Sequence, residues 1–68
     1  MKNLIKVERA RNNITQAELA EKVKVARQTI IAIERGRFVP SAMLALKIAK
    51  VLNCKIDLLF ELEDKDWE

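Results

Sequence analysis

Histidine and tyrosine are missing from this chain of 68 residues, and cysteine, glycine, proline and tryptophan each occur once. Cys54 has no second thiol to pair with, so a disulfide framework is excluded. Without histidine, a Cys/His zinc site is excluded as well. A single Gly and a single Pro argue against a loop-rich or disordered chain and for a mostly helical one. Phe38, Phe60 and Trp67 are the only aromatic residues, so a core must be built from aliphatic side chains. No run approaches the roughly 18 apolar residues of a membrane span, and no signal-peptide pattern is visible. Together with an unpaired thiol inside an apolar pattern, this points to a cytoplasmic protein with no membrane partner. An enzyme is not expected. The acids are mostly exposed or in the tail, and Cys54 has no base near it in sequence. No catalytic residue, metal, cofactor or small-molecule ligand is therefore assigned.

What is present is charge, unevenly spread. Residues 1–56 carry twelve Lys/Arg against four Glu, or +8. Residues 57–68 carry six acids and Lys65, or −5, leaving +3 overall. A basic body favours a polyanion such as double-stranded DNA through counterion release, and the acidic tail is expected to point away from it.

Half of the residues are apolar, enough for the core of one small domain spanning 1–68. A first helix is expected from about Leu4 to Asn12, with Leu4, Val7 and Ile14 inward. Thr15 and Glu18 have the spacing of a capping box. Helix two then runs from Gln16 to about Val23, burying Ala17, Leu19, Ala20 and Val23, with Glu18 and Lys22 as an exposed pair. Helix three should start near Ala26 or Arg27 and end at Arg35, with Ile30 and Ile33 inward and Gly36 as its left-handed terminator. Ser41 should cap helix four, and Asn53 can close it. Asp57 can cap a short fifth helix through Phe60, after which the chain either forms a short strand or frays. Helix four, where Ala42, Met43, Leu44, Ala45, Leu46, Ile48, Ala49, Val51 and Leu52 cover more than one face, is too apolar for a single buried stripe. A second copy of the chain is the simplest cover.

The segment ITQAELAEKVKVARQTIIAIERGRFVP, Ile14 to Pro40, is the most telling. Two short helical patterns are separated by a tight break, and the second opens with three polar side chains, Arg27, Gln28 and Thr29. Two helices joined this way lay side chains against base edges in the major groove. Thr15-Gln16, Leu19-Ala20, Arg27-Gln28-Thr29-Ile30, Ile33-Glu34-Arg35-Gly36 and Pro40-Ser41 follow in order, and this set resembles the Cro/cI-type helix-turn-helix regulators. The continuation to Phe60 resembles the small stand-alone members, especially the cytolysin-repressor type. The likeness covers about residues 4 to 62.

The resemblance implies an all-α, five-helix domain with its helix-turn-helix at 15–35, leaving open a short strand pairing at the termini. It implies sequence-specific binding to double-stranded DNA, with repression from a palindromic operator as the simplest mechanism. Arg27 and Gln28 would read bases, with Ala32 offering a methyl group. Gln16, Thr29, Arg35, Arg37 and Lys24 would meet phosphates. Arg9 and Glu34 would form a structural pair. A homodimer is expected through a region at about 43–67, using Leu58, Leu59, Phe60 and Leu62, with Leu46, Val51 and Trp67. Three residues depart from the family pattern. Lys24 stands where the turn usually has Gly, Ala26 where a Ser or Thr cap is usual, and Glu8 where helix one often carries an apolar or small residue. The competing reading is a protein-interaction module, or an antitoxin-like partner, on the same fold.

Overall fold

A computed structural model describes all residues, 1–68. The order is β1 (Lys2–Asn3), α1 (Ile5–Asn12), α2 (Gln16–Val23), α3 (Arg27–Glu34), α4 (Ala42–Val51), α5 (Ile56–Leu59) and β2 (Phe60–Glu61), then a 3₁₀ turn at Asp64–Trp67. The two strands pair antiparallel, Lys2 opposite Glu61 and Asn3 opposite Phe60. The tail therefore returns to the start of the chain. Met1's ammonium sits 2.9 Å from Glu63 and 3.1 Å from Asp66.

The four longer helices end alike. Asn13, Lys24, Gly36 and Asn53 adopt φ of 58°, 60°, 74° and 53°. In each case the left-handed residue's N–H bonds the carbonyl three back, and the next N–H bonds the carbonyl five back. Lys24 bonds Glu21 and Val25 bonds Ala20; Gly36 bonds Ile33 and Arg37 bonds Ala32. These are Schellman closures. Gly36 and Asn53 were expected at such positions, and Lys24 does occupy the left-handed turn. After three of the closures an apolar or thiol side chain (Ile14, Val25, Cys54) packs partly buried against the core. This ties helix termination to burial.

The core is aliphatic: Ile5, Leu19, Ile30, Ile33, Ile48, Leu52 and Leu59 are fully enclosed, with Ala20, Val23 and Ala49 among them. No helix is long and apolar enough to cross a membrane.

Four expectations need correction. Leu4 and Val7 face solvent, whereas Ile5 and Glu8 are buried. Leu4 is the residue before α1, and its N–H bonds the Leu59 carbonyl. The inward face of α1 is thus Ile5, Glu8, Arg9 and Asn12, mostly polar. Each of these polar groups has a partner: Glu8 approaches Arg11 at 3.7 Å, and Asn12 donates to the Glu8 and Leu52 carbonyls. Ala17 is exposed, because Leu19, Ala20 and Val23 centre the buried arc of α2 on its other side. Asp57 does not cap α5; Lys55 precedes that helix, without a side-chain cap. Leu59 is not available to a second copy. The single turn of α5 points it into the core while Leu58 stays outside.

Candidate nucleic-acid interface

Ile30 and Ile33 anchor α3 to the core. At about 100° per residue, Arg27, Gln28, Ile31, Ala32 and Arg35 then share an arc of about 140° on the opposite side. Arg27, Gln28 and Arg35 are exposed; Ile31 and Ala32 are half-buried. Thr29 falls on the flank beside Ile33 and is half-buried, at the edge of this surface.

The start of α3 is bare. Ala26 is extended (φ −67°, ψ 148°) and makes no side-chain cap bond. The Thr29 N–H bonds the Ala26 carbonyl at 3.0 Å, and the Arg27 and Gln28 N–H groups, with the positive end of the helix dipole, are left for an outside acceptor. The start of α2 is the reverse. Thr15 Oγ1 accepts from the Glu18 N–H at 3.0 Å, and Glu18 accepts from the Thr15 N–H at 2.9 Å. The bond from the Thr15 backbone N–H, and then the nearby Thr15 hydroxyl, hold the Glu18 carboxyl below its ordinary range.

One polar cluster fixes the helices against each other. Arg9 Nε donates to Glu34 at 2.7 Å, and its other nitrogens donate to Glu34 Oε1 (3.2 Å) and the Ile14 carbonyl (3.1 Å). The pair is largely enclosed, with side-chain exposures of 14% and 8%. Gln16 Nε2 donates to the same Glu34 oxygen at 3.2 Å. Gln16, at the first turn of α2, is therefore held in place with a second N–H to spare. Asn3 closes the far end of α3 by donating to the Ile33 carbonyl at 2.8 Å.

The expected site residues do not all come together. Gln16 and Arg27 line one shallow groove with Arg9 and Asn13. Gln16 recurs with Ile31, Arg35 and Lys6 in the adjoining one. Arg37 is exposed just past the closure of α3. Lys24 lies apart, in a groove between α2 and α4. Sequence reasoning missed Ile31 and Lys6. Ile31 was legible from the same periodicity that sent Ile30 and Ile33 inward. Lys6 was hidden by the misassigned register of α1. Glu63 of the acidic tail lines a small groove with Arg35 and Gly36, so the tail borders the end of α3 rather than standing wholly apart from it.

Two eight-residue helices, α2 and α3, joined by a tight left-handed turn at Lys24 and braced through Glu34, form a helix-turn-helix unit. The helix-turn-helix family model matches residues 5–59, and the chain belongs to that family, in its Cro/cI-type branch. It is 53% identical over 66 residues to the HTH-type transcriptional regulator MJ0272 of Methanocaldococcus jannaschii, covering 97% of this chain and all of that one. It is 48% identical over 66 residues to the HTH-type transcriptional regulator YgzD of Bacillus subtilis, again 97% of this chain and all of that one. The N-terminal DNA-binding domain of SinR from Bacillus subtilis superposes with a TM-score of 0.75 at 31% identity, over 88% of each chain.

Proposed function

We propose that the chain is a sequence-specific, double-stranded-DNA-binding transcriptional regulator that represses by occupying a palindromic operator as a homodimer. The observation that carries this reading is the exposed arc of α3. Arg27 and Gln28 stand free of ion pairs and hydrogen bonds to other side chains at an uncapped helix start. Arg suits the paired acceptors of guanine, and Gln the acceptor–donor pair of adenine. Ile31 and Ala32 offer apolar contact to a thymine methyl. Gln16, Lys6, Arg35 and Arg37 ring the arc and suit phosphate oxygens. Relatives along nearly the whole length are HTH-type transcriptional regulators, which supports the same assignment.

The dimer rests on apolar surface that the single chain leaves open. Leu58, Leu62, Leu46 and Trp67 are exposed, and Phe60 and Val51 are half-buried. Leu4 and Val7 add to this surface, since Leu4 lies beside α5 through its bond to Leu59. One recognition helix touches few base pairs, so two related by a two-fold axis, about 34 Å apart, would read an inverted repeat.

Selection of bound fragments from random duplex DNA tests binding, specificity and symmetry together. The expected product is an inverted repeat with half-sites about one helical turn apart. Recovery of unrelated sequences, with affinity set by salt alone, would overturn the reading.

A further inference from the structure

The groove between α2 and α4 is a strongly basic surface outside the proposed DNA-reading arc. Met43 and Leu46 form much of its floor, 67% and 56% exposed, with half-buried Val51 beside them. Lys22, Lys24, Lys47 and Lys50 line the same groove, and none of the four forms an ion pair within the chain. Four ammonium groups without a close ion-pair partner, beside exposed apolar side chains, call for an occupant that is acidic and apolar at once.

The tail of this chain has that composition. Glu63 and Asp66 are engaged by Met1, but Asp57, Glu61, Asp64 and Glu68 have no ion-pair partner. Leu62 and Trp67 protrude among them, Trp67 being 76% exposed. The strand pairing of Phe60–Glu61 holds the tail against its own N-terminus as a shaped knob rather than a loose strand. Four unpaired lysines and exposed aliphatic side chains in the groove match, in composition, four unpaired acids, a leucine and a tryptophan in the tail.

We infer that the lysine-lined groove of one copy receives the acidic, Leu62- and Trp67-bearing tail of a second copy, reciprocally, so that two tails fill two grooves. This rests on the homodimer proposed above and deepens it. The apolar contacts supply most of the association, and the charges select the partner surface and its register. Reciprocal exchange also closes the assembly, whereas a one-way contact would propagate into chains.

The test is sedimentation equilibrium of the full chain, with circular dichroism as a check on folding, for wild type, Lys47→Glu/Lys50→Glu and Asp64→Lys/Glu68→Lys. Wild-type dimerisation should weaken as salt rises. Each double variant alone should dimerise on the order of 100-fold more weakly, because like charges then face each other across the contact. An equimolar mixture should regain a heterodimer at near wild-type affinity. A wild-type dimer indifferent to both reversals, or a mixture that is not rescued, overturns the exchange while leaving the dimer reading intact. Normal dimerisation of Lys47→Glu/Lys50→Glu with lost binding to a labelled duplex would give the groove to phosphate and also overturn it. A wild-type monomer at tens of micromolar would instead refute the dimer itself.

Discussion

Helices α2 and α3 have the same length, eight residues, and the same left-handed closure, yet they differ at both ends. The start of α2 is sealed by Thr15 and Glu18, and its closure is followed by Val25, partly buried on the core. The start of α3 has no cap, and its closure is followed by the exposed Arg37. One helix satisfies its own backbone and buries its exit. The other leaves backbone donors at its start and an exposed arginine at each end. A missing cap and a missing apolar contact are ordinarily stability defects. Here they coincide with the surface that an anionic ligand would complete. Stability and the proposed recognition are divided between two neighbouring helices, joined through Glu34, which accepts from both Arg9 and Gln16.

Breaking that joint should have the largest effect. Glu34→Ala leaves the Arg9 guanidinium largely enclosed without its carboxylate, and should cost about 3 kcal/mol of folding stability. Urea unfolding checks this. A loss below about 0.5 kcal/mol would mean that the pair is a solvated decoration.

Next come the two ends of α3. Arg27→Ala and Gln28→Ala should each cost about 1–3 kcal/mol on the selected site and relax preference at particular base pairs. Arg37→Ala should weaken all duplexes alike and lower the salt slope by about one unit. Titrations on selected and random duplexes at several salt concentrations separate the two behaviours. Equal losses on both duplexes for Arg27→Ala would remove its base-reading role.

The caps can be exchanged. Thr15→Ala should destabilise by about 1 kcal/mol, while Ala26→Ser should stabilise by up to about 1 kcal/mol by sealing the start of α3. Thermal melts check both. If Ala26→Ser also weakens duplex binding, the bare start is itself part of the interface. The contribution of Glu18 has a defined pH sense. Its carboxyl is held below the ordinary range, so its stabilisation is complete above that range and is lost as pH falls through the lowered value. The gap between wild type and Glu18→Gln should therefore close in acid. A gap that persists at pH 2 would assign the effect to something other than the charge.

The smallest change concerns the turn between the helices. Lys24 sits at φ 60°, where glycine carries no Cβ penalty, so Lys24→Gly should stabilise by up to about 1 kcal/mol. Binding to an isolated half-site should change little, because Lys24 lies in the α2–α4 groove. A lowered melting temperature would show that the lysine makes contacts there worth more than the strain.

Much of this was legible before any coordinates, and the legible parts share a cause. The Thr15–Glu18 box, the Ser41 cap, the left-handed Gly36 and Asn53, and the outward Arg27 and Gln28 are decided within one or two helical turns. Spacing along the chain is then spacing in space. The Arg9–Glu34 pair was also anticipated, through the family resemblance rather than through spacing. What the sequence did not decide lies where distant segments meet. Helix α1 was turned the wrong way because its inward face is largely polar. Arg9 and Asn12 face inward because Glu34 and the Leu52 carbonyl are there to receive them, and apolar periodicity is blind to such partners. Leu58 and Leu59 are identical neighbours in sequence. Only the docking of α5 on the core makes Leu59 interior and leaves Leu58 outside. Lys24 was expected beside α3 as a phosphate contact, and the packing of α2 on α4 places it on a second groove. Local hydrogen bonding and periodicity belong to the sequence. Which side of a helix is inside, and which charges share a surface, are properties of contacts between segments far apart in the chain.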